Sequence, residues 1–370
     1  MYATQPLLPE LRHIFSASEA GVSLTVTATS FGCALAAPLV GSLADAIGRK
    51  RVIVTAIVLL ALVTAAAATA TTLPALIAWR VAQGTLMPGV FAVTLAYVAE
   101  ELPASVGGSA VAAYVTGNVL GGFLGRYLSA NVAAHTSWQT VFLVLAALNL
   151  AGAAFVFIAL PRARNFRRSR SFGASGGVML AFLRDPQVVA TYLMGGSVLF
   201  TLVAAFTYIT FYLAGAPFRL STAAIGNVFV VYLLGLIVTP LGGQLIDRLG
   251  NRAATLCALA VSIGGLLLTL VTSVPAIIIG LAAMSSGVFV MQTSSQGYLG
   301  RLVRANRSTA AAVYFTFYYV GGGLGAIVPA LAWTRGGWPA TVALIVGVQL
   351  VVGALAVGGW RVVRTPPATG

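Results

Sequence analysis

The sequence predicts an all-α polytopic membrane protein made of two pseudo-symmetric six-helix bundles, the first helix incomplete, which gives eleven full spans and a remnant. Three observations predict it. Of the 370 residues, 59% are hydrophobic and 8% charged, and the mean hydropathy is +0.97; soluble domains carry about 25% charged residues, and so few cannot cover a water-exposed surface of this size. The apolar runs are continuous, as in 52–70 and 341–359, whereas a transmembrane β-barrel needs short alternating segments. A polar hairpin pattern also recurs in the two halves of the chain.

At about 20 apolar residues per crossing, runs bounded by charges, Pro and Gly place spans near 22–44, 52–71, 75–98, 108–131, 138–160, 189–213, 224–246, 253–272, 275–299, 308–332 and 338–360. The basic residues of alternate connections fall unevenly. One side holds Arg49, Lys50, Arg51, Arg162, Arg164, Arg167, Arg168, Arg170, Arg184, Arg248, Arg252, Arg301, Arg304, Arg307, Arg361 and Arg364; the other holds Arg12, Arg219 and Arg335. By the positive-inside rule the richer side is cytoplasmic, and the C-terminus with it. The net charge of +14 therefore reports topology, and nucleic acid is not an expected partner.

The repeat is Pro38-Leu39-x-Gly41-x-x-x-Asp45-x-x-Gly48-x-Lys50, which returns 202 residues later as Pro240-Leu241-x-Gly243-x-x-x-Asp247-x-x-Gly250-x-Arg252. Six positions in one frame, at the same topological place, signal duplicated halves. The offset sets Met1 against Val203, inside the span near 189–213, so residues 2–9 read as the outer end of a first crossing whose beginning is missing. A start assigned too late or a truncation accounts for this, and no signal peptide does. The expected units are an N-terminal bundle over 1–160, a basic cytoplasmic linker over 161–188, a C-terminal bundle over 189–360 and a tail over 361–370. The linker's arginines set topology or meet anionic lipid or a partner.

In the hairpin, Gly41 is expected to let two helices approach and Gly48 to permit a sharp turn. Asp45 sits where it can cap a helix or pair with Arg49 or Arg51. Cys33 and Cys257 show no metal spacing and read as buried, inert thiols.

The duplicated halves, the basic linker and the segment from Gly41 to Arg51 together resemble the major facilitator superfamily, most of all its bacterial drug and metabolite (sugar or nucleoside) efflux branches. The resemblance implies a gating latch at Gly41, Asp45, Gly48, Arg49, Lys50 and Arg51, repeated at Gly243, Asp247, Gly250 and Arg252, that holds the halves together on the cytoplasmic side in the outward-open state. Leu76-x-x-x-Arg80-x-x-Gln83-Gly84 is similar to the family's helix-4 motif, whose Arg is proposed to take part in proton coupling. Arg80 also lies roughly six residues from the outer interface, within reach of snorkelling.

Tyr114-x-x-Gly117-Asn118-x-x-Gly121-Gly122-x-x-Gly125-Arg126 resembles the glycine-rich helix-5 motif of the exporters, with Asn118 where those carry Pro. Its glycines are expected to pack tightly, and Asn118 to face the solute or bond another helix. A second glycine run spans 321–325. The pathway looks lopsided: Arg80 and Arg126 lie in one half, and Tyr208, Tyr232, Gln292, Gln296, Tyr314 and Tyr318 in the other. Aromatic and amide groups suit neutral or mildly amphipathic solutes, and they also serve as packing and interhelical glue.

Every acidic residue lies at or near a span end, which argues against a dedicated organic-cation pump. No nucleotide-binding signature is present. The two histidines, His13 and His135, sit near the outer face without a matching carboxylate pair, so catalysis is not expected. The expectation is a monomeric secondary transporter of the bacterial inner membrane. It needs no cofactor beyond an ion gradient, taken to be protons, and exports a small organic solute; an uptake symporter, and further off a channel, are the alternatives.

Overall fold

The computed structural model describes residues 1–101, 104–161, 175–303 and 305–360, and every regular element among them is helical. A 3₁₀ turn at Gln5–Leu7 leads into α1 (Leu8–Ile14). It is followed by α2 (Glu19–Ile47), α3 (Arg49–Ala67), α4 (Leu73–Glu101), α5 (Ala104–His135) and α6 (Trp138–Ala159). A short helix, α7 (Ser175–Arg184), precedes α8 (Pro186–Ala214). Then come α9 (Thr222–Val228), a 3₁₀ stretch Phe229–Leu234, α10 (Gly235–Leu268), α11 (Val274–Leu302), α12 (Arg307–Ile327) and α13 (Pro329–Gly359).

Nine helical stretches among the described residues are long and apolar enough to span a bilayer. One of them, Thr222–Leu268, holds two crossings, because Gly250 breaks α10 at φ +77°. With α5, which is long but polar in places, the described chain makes eleven crossings, and the short α1 precedes them. Breaks at Gly336 and Gly337 split α13 as well, so the last crossing is 338–359 and the residues before it extend the span of α12.

Local chemistry sets the ends. The hydroxyls of Ser18, Ser137 and Ser221 accept backbone N–H bonds at the starts of α2, α6 and α9. Asp185 caps α8, accepting from Gln187 and Val188, with Pro186 in the first turn. The repeated hairpin has the same backbone twice, since Gly48 (φ +97°) and Gly250 (φ +77°) both take conformations that a Cβ disfavours.

Helices α2, α3, α4 and α6 pack mainly among themselves, as do α8 and α10 to α13, whereas α5 packs more against α9 and the 3₁₀ stretch after it than against its own half. The two sets meet where α2 lies on α12, and where α5 lies on α9 and the 3₁₀ stretch after it. Large apolar side chains such as Leu143, Phe155, Ile158, Leu267, Ile279 and Val351 point outward from the assembly, the surface that lipid tails cover. Arg49, Lys50, Arg51, Arg184, Arg248, Arg252, Arg301 and Arg307 lie at helix ends on one face, called here the basic face.

Three expectations are corrected. Gly41 is exposed, and open space lies where a Cβ would be, as at Gly243; close approach falls instead at Gly84, where a Cβ would come 2.2 Å from the Thr29 carbonyl oxygen. The first glycine run does not pack tightly either: Gly117, Gly121 and Gly125 have open space beside them, and the second run makes the tight seam, Gly321 lying on the backbone of Gly196. Cys257 is exposed, on the apolar outer surface near Leu256 and Val261, and of the two thiols only Cys33 is buried.

Candidate functional site

The second residue of the chain sets the centre. The Tyr2 ring lies under the Arg126 guanidinium at 4.8 Å, while Tyr232 and Phe229 of the opposite half cover the same guanidinium at 4.6 and 5.4 Å. Arg126 is 2% exposed, and its Nε donates to Gln5 Oε1 (2.8 Å) and its Nη1 to the Gly122 carbonyl (2.7 Å). Gln5 Nε2 in turn donates to Thr207 Oγ1 on α8 (3.1 Å). A desolvated guanidinium over aromatic faces contributes about 2 kcal/mol, so this clasp is an adhesive contact between halves.

Arg80 does not snorkel. It is 2% exposed and turned inward: Nε donates to the Thr25 carbonyl (3.0 Å), Nη1 to Gln83 Oε1 (2.5 Å) and Nη2 to the Met1 carbonyl. Gln83 passes the chain on, donating to Thr64 Oγ1 at 2.9 Å. Inward bonding wins because three acceptors, from α2, from α4 itself and from the chain ahead of the first 3₁₀ turn, are already in place, whereas the interface would need about 9 Å of reach.

Of the predicted pathway residues, the fold brings Arg126 and Tyr232 together, with Tyr318 nearby beside Gln292. Asn118 is exposed on α5, one turn before Gly122, which lies beside Tyr232. Three others lie apart. Tyr208 donates to the Ala326 carbonyl at 2.9 Å, gluing α8 to α12. Tyr314 bonds Ser295 at 2.8 Å in a packing cluster near the basic face, with the exposed Gln296 alongside. Tyr2, Gln5, Tyr319 and Phe91 complete the centre, the last two rings 5.5 Å apart across the halves. Sequence reading missed them because Tyr2 and Gln5 lie ahead of the first full span, where no motif marks them.

At the predicted latch, the Asp45 side chain lies outside the described residues, as do 162–174, Arg304 and the tail from Arg361. Arg49 is buried and Arg51 exposed. Lys50 closes the end of α6, its Nζ donating to the carbonyls of Phe157 (2.7 Å) and Leu160. Asp247 is exposed and pairs with no described residue, and Arg252 keeps a buried Nε without a hydrogen bond. The second hairpin is pinned by Asn251, whose amide donates to Ser294 O (2.7 Å) and Ser294 Oγ (3.1 Å) while its oxygen accepts from Arg301.

The halves touch toward the face opposite the basic one. Thr27 Oγ1 donates to the Gly323 carbonyl (3.0 Å), Phe31 packs at Gly323, and Ala130 packs at Gly226. One turn beyond Phe31 toward the basic face, Leu35 is 72% exposed, and Gly117 and Gly121 face open space. The structure is thus closed at one face and parted at the other.

These features define a polytopic helical transporter with two halves about a central polar cluster. The chain belongs to the Major Facilitator Superfamily, whose family model matches residues 1–222 and 215–370. It is 28% identical over 369 residues to the uncharacterized MFS-type transporter YybF of Bacillus subtilis, covering 99% of this chain and 91% of that one. It is also 28% identical over 357 residues to the inner membrane transport protein YnfM of Escherichia coli, covering 95% and 86%. In fold it is similar to the inward-facing, unoccupied crystal structure of a bacterial homologue of the human lysosomal transporter Spinster (TM-score 0.80, 14% identity, 99% and 95% covered).

Proposed function

We propose that this chain exports a small organic solute across the bacterial inner membrane, as a monomer in the lipid bilayer, by alternating access coupled to the proton gradient. The observation that carries the reading is the asymmetry of the seam. Arg126 with Tyr232 and Phe229, Gln5 with Thr207, and Thr27 with Gly323 join the halves toward one face, while Leu35, Gly117 and Gly121 are bare toward the other. A central site open to one side only is what rocking of two bundles produces. With the basic side taken as cytoplasmic, the conformation described is inward-open. The export direction draws on the likeness of Gly117 to Arg126 to the exporter motif, and proton coupling on the likeness of Arg80 to the helix-4 motif.

The test is flux in proteoliposomes of known orientation, with a panel of labelled organic solutes, with and without an imposed pH gradient. Saturable flux with counterflow, driven against the proton gradient, is the expected result. Accumulation in the same direction as protons makes it a symporter, and conductance without saturation makes it a channel; either replaces the proposed reading.

A further inference from the structure

Among the described residues neither of the two central arginines forms an ion pair, and Arg126 has only the ring faces of Tyr2, Tyr232 and Phe229 against its charge. Arg80 and Arg126 are both 2% exposed, and their hydrogen-bond acceptors are neutral: the carbonyls of Thr25, Met1 and Gly122 and the amide oxygens of Gln83 and Gln5. They are joined through two consecutive residues, the Met1 carbonyl on Arg80 and the Tyr2 ring on Arg126. Among the described residues the carboxylates of Glu10, Glu19, Glu101, Asp185 and Asp247 all sit at helix ends. Neutral acceptors satisfy the directions of the N–H groups but leave both positive charges in a low-dielectric interior, where a charge without an ion-pair partner is costly.

Donors are in excess here as well. The buried hydroxyls of Tyr2 and Ser30 lie close together, and neither makes a hydrogen bond of ordinary geometry. Beside them is a shelf of rings: Tyr232, and Tyr318 against Tyr319 with centroids 5.4 Å apart. Positive charge without an ion pair, idle O–H donors and an aromatic wall are complementary to one kind of molecule.

We propose that the central site selects solutes bearing a carboxylate on an aromatic or apolar body. The carboxylate lies between Arg126 and Arg80 and accepts from the Tyr2 hydroxyl, and the body stacks along Tyr232, Tyr318 and Tyr319. This rests on the transporter reading and names its substrate class. It also displaces the sequence-based expectation of a neutral solute, since the aromatic and amide groups supply the wall and the arginines the charge. A carboxylate that draws Arg126 away from Gln5 Oε1 also loosens the clasp to Tyr232, so binding is tied to opening of the closed face.

The test uses the full chain purified in detergent, with matched acid, alcohol and amine probes. These are phenylacetate, 2-phenylethanol and 2-phenylethylamine, together with indole-3-acetate, tryptophol and tryptamine. Binding is read by intrinsic fluorescence and by the shift in unfolding temperature. The acids are expected to bind about 10- to 100-fold tighter than their alcohols, and Arg126→Gln or Arg80→Gln to abolish that preference while leaving alcohol binding in place. Because loss of a buried Arg can prevent folding, Tyr2→Phe, which keeps the ring and removes one donor, is the second variant; it should lower the acid-over-alcohol ratio severalfold.

Amines binding more tightly than acids, equal binding of acids and alcohols, an acid preference retained in Arg126→Gln or undiminished in Tyr2→Phe, or no binding by either acid overturns the proposal. Saturable flux of an alcohol or amine in proteoliposomes without flux of the matching acid would overturn it while leaving the transporter reading in place.

Discussion

Gln5 Nε2 donates to Thr207 Oγ1 at 3.1 Å, and the two residues are 202 positions apart, the same offset that separates Gly48 from Gly250 and Pro38 from Pro240. A contact between positions related by the internal repeat is one that lies at the pseudo-twofold axis, where equivalent helices of the two halves face each other. The bond therefore reports how far the halves have closed at this level of the membrane, and Gln5 also holds Arg126 through its oxygen.

Thr207→Val removes the cross-half bond and keeps the side-chain shape. The loss should be about 0.5–1.5 kcal/mol, shifting the equilibrium toward opening of the closed face by about 2- to 12-fold. Gln5→Ala should shift it further, because it also strands Arg126 Nε. The check is the rate at which a cysteine placed at Ala130, in a background without Cys33 and Cys257, reacts with an impermeant thiol reagent added to intact cells. Equal rates in wild type and Thr207→Val would mean that the bond has no part in closure.

Tyr232→Leu keeps the apolar volume beside Phe206 and Phe289 but takes away the face nearest Arg126. A cation–π contribution of about 1–2 kcal/mol should be lost, with the same direction of change at Ala130. Combined with Arg126→Gln, the effects should be less than additive, as expected for two partners in one contact; additive effects would separate them.

The topology is checked with single cysteines replacing Arg167 and Arg364. Both should resist an impermeant reagent in intact cells and react after permeabilisation, as the distribution of basic residues requires. Labelling of either before permeabilisation reverses the orientation.

Asp45→Asn removes a charge at nearly constant volume. Fold and insertion should be normal, with a shift of about 5- to 150-fold toward the state open at the basic face and depressed transport. Asp247→Asn should do the same more weakly. In the second hairpin Asn251→Ala is expected to have the larger effect, since Asn251 ties the turn to Ser294 and Arg301 and loss of these bonds costs about 1–3 kcal/mol. Wild-type accessibility and transport in Asp45→Asn would leave that loop a hairpin and nothing more.

Lys50→Met should lower the unfolding temperature in detergent, and Lys50→Arg should retain it. The ammonium sits on the last carbonyls of α6, where a cation contributes about 0.3–2 kcal/mol through the helix dipole. Equal unfolding temperatures for all three proteins would dismiss the cap.

The sequence by itself determined the helical class, the order of the spans, the repeat and the two sharp turns at Gly48 and Gly250. Each of these is written locally: hydrophobic run length matches bilayer thickness, and a positive φ selects Gly. Tertiary structure decided everything that depends on which face of a helix meets another. Small residues mark a permitted close approach without saying whether it is used, so the tight seam fell to Gly84 and Gly321 while Gly117 and Gly121 were left facing open space. Arg80 could reach an interface or an interior by length alone, and only the carbonyls of Thr25 and Met1, brought beside it from elsewhere in the chain, chose the interior. The pairing of Arg126 with Tyr2 and Tyr232, more than a hundred residues away on either side, is a product of packing alone. No span of the sequence contains all three, and the chemistry of the central site exists only where the two halves meet.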